Sequence, residues 1–180
     1  MGLLQELNEQ RWQPPRSDDK ELLDWLDVLA QMVPDHTYWI NRGISVDVLR
    51  RLEGGLHPPA MQSKMTGRYL FPIREHRGAG RIVGWTGRLV SDASFGPKHK
   101  HLVRVSRVVY PLHVTREPIL RARKAVIVEG KGDELAVMTG GIDYVIDLLG
   151  LHVNSHLLGF LIGANLDEVV ISTNNDTLGK

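Results

Sequence analysis

The stretch AVIVEGKGD, from Ala125 to Asp133, decides the fold class of this chain. It predicts an apolar β-strand followed by two acidic residues, Glu129 and Asp133, and a second strand, within DEVVISTNNDTLGK, ends close to Asp176. Open parallel sheets bind ligands at the carboxyl ends of their strands. Oxygen ligands gathered at such an edge suit a hard divalent cation, so the sequence predicts a site for Mg²⁺ or Mn²⁺.

Strands and helices are predicted to alternate throughout the C-terminal third of the chain. The predicted order is strand Ala125–Val128, helix Gly132–Thr139, strand Tyr144–Leu148, helix Ser155–Gly163 and strand Glu168–Ser172. Such alternation indicates βαβ units in a parallel sheet. Residues 125–180 are therefore expected to form an α/β domain.

The first third of the chain is predicted to be helical. Residues 1–19 are expected to form a loose arm that ends near a helix cap, Ser17. Three helices are predicted after it, at Lys20–Val33, at residues 36–43 and, behind a Ser45 cap, at residues 46–55.

The middle of the chain changes to short runs rich in β-branched and aromatic residues. A small antiparallel sheet is predicted from RYLFPIRE (68–75), RIVGWTGRLV (81–90) and RVVYPLHV (107–114). Residues 91–102 are expected to form a polar, basic loop, and residues 116–124 a linking helix with Pro118 in its first turn. The patterns divide the chain into an arm and helix (1–33), an α+β basic subdomain (34–124) and the α/β domain (125–180).

Positive charge is concentrated in the middle of the chain. Residues Lys64–Lys124 hold 14 Lys and Arg against three acids, a balance of +11, whereas the remainder carries −10. A basic block beside an acidic one suits a polyanion-binding surface next to a metal site. The alternative is a solvated basic face without a ligand.

Composition limits the class of protein further. Cysteine is absent, which excludes disulfides and thiolate zinc sites, so no zinc is expected. The N-terminus lacks the features of a signal peptide. The apolar run Ile142–Gly163 contains Asp143 and Asp147 and is predicted to be a buried strand and helix. A cytoplasmic protein without membrane contact is expected.

The acidic strand ends resemble a known domain. The Toprim pattern has Glu-Gly after one strand and Asp-x-Asp-x-x-Gly after another; Glu129-Gly130 and residues 174–179 match it, with Asn174 in place of the first Asp. This resemblance implies a Rossmann-like parallel sheet. Three upstream segments resemble, in the same order, the DnaG-type primase RNA-polymerase core: YWINRGISVDVLRRLEGGL, RYLFPIREHRGAGRIVGWTGRLV, and PKHKHL followed by RVVYPL.

The resemblance implies a phage-like or mobile-element-like primase core that lacks the zinc-binding domain and the C-terminal part of the core. Its expected activity is metal-dependent nucleotidyl transfer, which makes short RNA primers from nucleoside triphosphates on single-stranded DNA. A replicative helicase is a further expected partner, within a primosome.

The same resemblance assigns the acidic residues. Glu129 and Asp176 are the expected catalytic pair, and the metal set is Glu129, Asp133, Asn174 and Asp176. Asn174 keeps a carbonyl oxygen but no charge, which is expected to weaken metal binding. Asp133 has an alternative role as a capping carboxylate in the first turn of its helix.

The basic residues are assigned to nucleic acid. Arg68, Arg88 and Lys98 are expected to hold the template backbone or the incoming triphosphate. Arg104 or Arg107 is expected to supply the next contact, and His101 aligns with a family Asn.

Other residues of this region have weaker assignments. Gly84 and Gly87 suggest a close approach of a strand to nucleic acid. Trp85 is expected in the core, with stacking on a base as the alternative. His99 and His101 are expected in a wet basic loop rather than at a metal.

Two other functions fit the same residues. A Toprim nuclease would use the acidic site to cut DNA. A non-catalytic module derived from a primase would bind single-stranded nucleic acid without a metal.

Overall fold

A computed structural model gives the fold of the chain. It describes residues 19–61, 63–75, 80–90, 96–103, 107–150 and 153–173, with side chains described from Trp25 onward. The predicted Ser17 cap, most of the expected arm, and the candidate site residues Arg104, Asn174 and Asp176 lie outside the described residues.

The N-terminal part combines short helices with an antiparallel sheet. The helices are α1 (Asp19–Gln31), α2 (Thr37–Ile40) and α3 (Val46–Arg51). Ser45 caps α3, as predicted, because its side chain accepts a hydrogen bond from the backbone N–H of Asp47. The sheet contains four strands in sequential order: β1 (Gly55–Leu56), β2 (Arg68–Arg74), β3 (Ile82–Leu89) and β4 (His99–His101).

Part of the expectation for the middle region is wrong. Residues 107–114 form no strand: Tyr110 makes only an isolated bridge to Asp147, and helix α4 (Leu112–Ala122) begins two residues later. Pro111 has no N–H to pair and stands directly before the helix. Because α4 starts earlier than predicted, Pro118 lies inside the helix rather than in its first turn.

The predicted polar loop is also partly wrong. Its residues 99–101 form β4, whose backbone pairs with residues 86–88 of β3 in antiparallel register. Backbone pairing does not depend on apolar side chains, so the sequence His-Lys-His gives little sign of it.

The C-terminal part is the predicted parallel sheet. Its strands are β5 (Lys124–Val128), β6 (Val145–Asp147) and β7 (Glu168–Ser172), in the order β6-β5-β7. Helices α5 (Lys131–Thr139) and α6 (Ser155–Ala164) connect them. The chain passes from β5 to β6 on one side and then crosses over to β7 on the other side of β5, so the strand order reverses beside β5. Ligands bind at the carboxyl ends of the strands at such a switch point.

Hydrophobic packing joins the two sheets. Tyr69 and Phe71 of β2 belong to the same buried cluster as Val128 of β5 and Leu135 of α5. The cluster contains residues from both sides of position 124, where the boundary between two subdomains is expected. The division of the chain into three parts remains a prediction, but its last two parts share one core.

The apolar run Ile142–Gly163 is divided between β6 and α6, as predicted, and β6 is buried. The expected burial of the helix is wrong, because Leu157 is the one buried residue of α6. Among the described helices, none has the length and apolar character required to cross a bilayer.

Candidate functional site

A cleft of about 460 Å³ opens between the two sheets. One wall, the acidic wall, consists of the carboxyl edge of the parallel sheet and the start of α5: Glu129, Gly130, Lys131, Gly132, Asp133 and Asp147. The opposite, basic wall comes from the N-terminal part: Tyr38, Trp39, Arg42, Thr86, Arg88, His99 and His101.

Two predicted site residues lie together on the acidic wall. Glu129 directly follows β5, and Asp133 is the third residue of α5. Burial raises the pKa of Asp133, and the nearby charges of Asp147 and Glu129 raise it further. Within the described residues no hydrogen bond to the Asp133 carboxylate is found, so a hydrogen-bonded capping role is not observed. Carboxylates that repel one another in this way are what a divalent cation would stabilise.

Tyr38 orients two arginines on the basic wall. The Arg88 Nε donates to the Tyr38 hydroxyl at 3.1 Å. The guanidinium of Arg42 lies 3.7 Å from the centre of the Tyr38 ring, and its Nη1 donates to the Tyr38 carbonyl at 2.9 Å. Two guanidinium groups held in fixed orientation opposite carboxylates suit phosphate oxygens.

The histidines of β4 face the same cleft. The Arg88 Nη1 lies 2.5 Å from His99 Nε2. Desolvation within the cleft, with a smaller effect of the Arg88 charge, lowers the pKa of His99 to about 4 although part of this residue is exposed, and burial lowers the pKa of His101. Both rings are neutral at neutral pH, so His99 accepts the hydrogen bond of Arg88 rather than adding charge.

Strand β7, which precedes the second predicted acidic segment, ends at the same edge of the sheet. Ser172 at its end pairs with Val128, the residue before Glu129. Asn174 and Asp176 lie beyond the described residues, so their approach to Glu129 remains a prediction. In the part of the chain that is described, no three His, Cys, Asp or Glu side chains are arranged to hold a metal ion.

Known proteins resemble this chain in sequence and in fold, although no family model matches it. The DNA primase of Geobacillus stearothermophilus is 27% identical over 158 residues, which cover 85% of this chain and 25% of that protein. The DNA primase of Borreliella burgdorferi is 28% identical over 151 residues, covering 80% of this chain and 28% of the relative. The chain thus spans about a quarter of the length of these relatives.

Solved structures identify the fold. The RNA polymerase domain of Mycobacterium tuberculosis primase DnaG matches with a TM-score of 0.74 at 19% identity, covering 89% of this chain and 68% of that domain. The fold is that of a DnaG-type primase catalytic core. A DnaG primase catalytic domain bound to single-stranded DNA matches with a TM-score of 0.71 at 21% identity, covering 88% of this chain and 62% of the other. The fold expected from the sequence motifs is confirmed.

Arg68 has a different environment from the other predicted basic residues. Only 3% of it is exposed, and its guanidinium donates to the carbonyls of Pro97 at 2.8 Å and Lys98 at 3.3 Å. It therefore positions the segment that leads into β4. A phosphate contact by Arg68 remains a prediction, and it would require the guanidinium to leave these carbonyls.

Lys98 and Arg107 are both exposed, and neither lines the cleft. Arg88 is thus the one predicted basic residue among the described ones that lies on the cleft wall. Its contact with nucleic acid remains a prediction.

The glycines around Trp85 serve internal packing. A Cβ at Gly84 would lie 2.5 Å from Val103 Cβ, and one at Gly87 would lie 2.8 Å from Met65 Cε. These neighbours are parts of the chain itself and account for both glycines, and a close approach to nucleic acid remains a prediction. Trp85 is 1% exposed, as predicted for a core residue.

A buried charged cluster beneath the acidic wall was missed by the sequence reasoning. Lys131, Glu134 and Asp147 are all buried. Burial raises the pKa of Glu134, the Lys131 charge lowers it, and the Asp147 charge raises it again. The available signal was a Lys and a Glu three residues apart on the apolar face of α5, with an Asp within the apolar strand β6.

Proposed function

We propose that this chain provides the catalytic core of a DNA primase, which joins nucleoside triphosphates into a short RNA primer on a single-stranded DNA template. The observation that carries the proposal is the cleft, in which Glu129 and Asp133 at the sheet switch point face the oriented guanidinium groups of Arg42 and Arg88. The DNA primases among its relatives and the fold neighbour bound to single-stranded DNA support it.

The acidic wall fits a divalent cation. Glu129 and Asp133 would hold Mg²⁺ or Mn²⁺, with Asp176 and Asn174 as further ligands, and the raised pKa of Asp133 supports this placement. When bound, such an ion stabilises the attacking and leaving oxygens of phosphoryl transfer.

The chain's own residues bind and orient the substrates. Arg42 and Arg88 bind phosphate oxygens of the triphosphate or template, and Tyr38 holds both arginines in place. Lys98 and Arg107, with Arg104, extend the basic surface along the template. Arg68 holds the backbone of Pro97 and Lys98 in place. Glu129 is placed to associate with the metal or to transfer a proton.

The proposed function implies a partner protein and a cellular location. A replicative helicase supplies the single strand, and the expected location is the cytoplasm, that of a bacterial host if the chain is phage-encoded.

A priming assay tests the proposal. The full chain is incubated with single-stranded DNA, labelled nucleoside triphosphates and Mg²⁺ or Mn²⁺. Glu129→Gln and, separately, Asp176→Asn are each expected to lower primer synthesis by roughly 100-fold, because either change weakens stabilisation of the transferred phosphoryl group. The matched control is Glu117→Gln, an exposed glutamate of α4 outside the cleft, which is expected to retain wild-type activity.

A second function is favoured by one observation. The Lys131 ammonium group lies against Asp147 on the acidic wall and reduces its negative charge. A non-catalytic single-strand-binding module would bind DNA equally well after Glu129→Gln or with a chelator, and would make no primer. Cleavage of the template instead of extension would identify a Toprim nuclease.

A further inference from the structure

Lys131 has an environment unusual for a lysine. It is the first residue of α5 and lies between two glycines, yet its side chain is only 3% exposed. Its Nζ is hydrogen-bonded to Glu134 Oε2 and lies 3.3 Å from Asp147 Oδ2. The same Nζ is 3.7 Å from the centre of the Tyr110 ring. The ammonium group is thus enclosed by two carboxyl groups and an aromatic face.

Asp147 stands where a metal ligand would be expected. It ends β6 and pairs with Val128, so it lies at the same edge of the sheet as Glu129. Its Oδ1 accepts the Leu149 N–H at 2.8 Å, while Oδ2 faces Lys131. Among the described residues, Glu134 Oε1 and Asp147 Oδ2 are buried oxygens without a hydrogen-bond partner. Glu134 Oε2 and Asp147 Oδ2 both contact the Lys131 ammonium group, so the two side chains form a position that favours a cation.

We propose that the Lys131 ammonium group fills a cation position formed by Asp147 and Glu134, and so keeps divalent metal out of the β6 side of the cleft. A buried carboxylate without a counter-charge is strongly destabilising, and a tethered ammonium group with three donors compensates it at all metal concentrations. A divalent ion cannot share the position, because the two cations would repel at this distance. Metal enters the cleft only on the Glu129 and Asp133 side.

Removing the ammonium group should convert the position into a metal site. Lys131→Ala leaves the Asp147 and Glu134 carboxyl groups facing an emptied space below the cleft. We therefore expect Lys131→Ala to bind one more Mn²⁺ per chain than the wild type, counted by electron paramagnetic resonance on the full chain. Lys124→Ala, which removes a half-exposed lysine paired with Glu168 on the same sheet, is the matched control and should bind as many ions as the wild type.

The inference is overturned if folded Lys131→Ala binds no additional Mn²⁺. If Lys131→Ala does not fold even with Mn²⁺, the number and affinity of Mn²⁺ ions bound by Asp147→Asn test the inference instead. The inference requires Asp147→Asn to keep the wild-type number of Mn²⁺ ions and an affinity within about twofold, whereas loss of an ion would make Asp147 a ligand already and overturn it. Because Mn²⁺ is counted without DNA or nucleotide, the result is independent of whether the chain synthesises primers.

Discussion

At the scale of the residue, the side chains of the basic wall act through one another. Tyr38 accepts a hydrogen bond from Arg88 and carries Arg42 on its ring, so one aromatic side chain sets the direction of two charges. His99, whose pKa is lowered by desolvation and by the Arg88 charge, accepts a hydrogen bond from Arg88 on the other side. Fixing a guanidinium in this way lowers the entropy lost when it binds a phosphate.

Arg88 is expected to make a measurable contribution to nucleic-acid binding. Arg88→Gln should weaken binding of single-stranded DNA by about 3- to 10-fold and lower the slope of log affinity against log salt by about 0.7, as for one lost phosphate contact. Fluorescence anisotropy of a labelled oligonucleotide at several salt concentrations measures both. Arg121→Gln, at an exposed arginine of α4 outside the cleft, should change neither. Equal losses in the two variants would contradict a specific role for Arg88.

His113 is expected to make stability depend on pH. Burial lowers its pKa to about 4, and neither ring nitrogen has a hydrogen-bond partner among the described residues. An unfolded histidine has a pKa of about 6.5, so below that value the unfolded state binds more protons and stability falls as the pH drops toward 4. This residue alone should lower the free energy of unfolding by about 2 kcal/mol between pH 7 and pH 4.5.

Urea unfolding at the two pH values measures this dependence on His113. His113→Gln should remove about 2 kcal/mol of the difference between the two pH values. His156→Gln, the same substitution at a histidine of α6, is the comparison. An unchanged pH dependence in His113→Gln would refute the assignment.

Single residues were predictable from the sequence when their role follows from local position. Glu129 directly follows an apolar strand, and a strand's carboxyl end is where ligands bind. The roles of Arg68 and Lys131 were not predictable in this way. Arg68 donates to main-chain carbonyls about 30 residues away, and Lys131 contacts Asp147 at the end of β6. No sequence spacing gives such contacts.

At the scale of the element, β4 depends on close contact with β3. The Leu102 N–H donates to the Trp85 carbonyl at 2.8 Å, next to the end of the paired segment. Gly84 permits this contact, because a Cβ there would lie 2.6 Å from the Leu102 carbonyl oxygen. Since β4 carries His99, the glycine also fixes one side of the cleft.

Gly84→Ala is therefore expected to destabilise the protein. The backbone at Leu102 must move to admit the methyl group, at a cost of about 1–3 kcal/mol in the free energy of unfolding. Gly159→Ala is the matched control: it lies inside α6 with nothing within 4 Å of a new Cβ, and should stabilise by about 0.5–1 kcal/mol. Chemical denaturation measures both. A Gly84→Ala protein as stable as the wild type would show that β4 does not depend on this approach.

Elements were predictable where side-chain patterns determine them. The apolar strands β5 and β7 and the capped helix α3 follow from local pattern. Strand β4 does not, because its His-Lys-His sequence forms a strand only through backbone pairing with β3. Residues 107–110 have strand-like composition, but Pro111 removes a donor and α4 begins immediately afterwards.

At the scale of the whole molecule, the two sheets are stabilised by one core. Leu135 of α5 is completely buried in the cluster that also contains Tyr69 and Phe71 of β2. The two sheet types were predictable from periodicity along the chain. The packing of the two sheets against each other was not predictable, because contacts between distant segments leave no local pattern in the sequence.

Leu135→Ala should consequently loosen the distant antiparallel sheet. Truncating this buried leucine is expected to cost about 2–5 kcal/mol, and the backbone amides of β2 and β3 should exchange hydrogen faster in proportion. Hydrogen exchange followed by mass spectrometry measures this. Val169→Ala, on the exposed strand β7, is the control and should leave β2 and β3 protected. Unchanged exchange in Leu135→Ala would mean that the two sheets unfold separately.

Trp39 lines the cleft beside Tyr38 although only 4% of it is exposed, whereas Trp25 and Trp85 belong to another cluster. The protein therefore contains its own optical reporter for the cleft. An oligonucleotide or nucleotide entering beside this indole should shift or quench ultraviolet emission without any attached dye. Trp39→Phe would remove that change in emission while Trp85 continues to fluoresce. Binding of a ligand in the cleft could therefore be followed in real time.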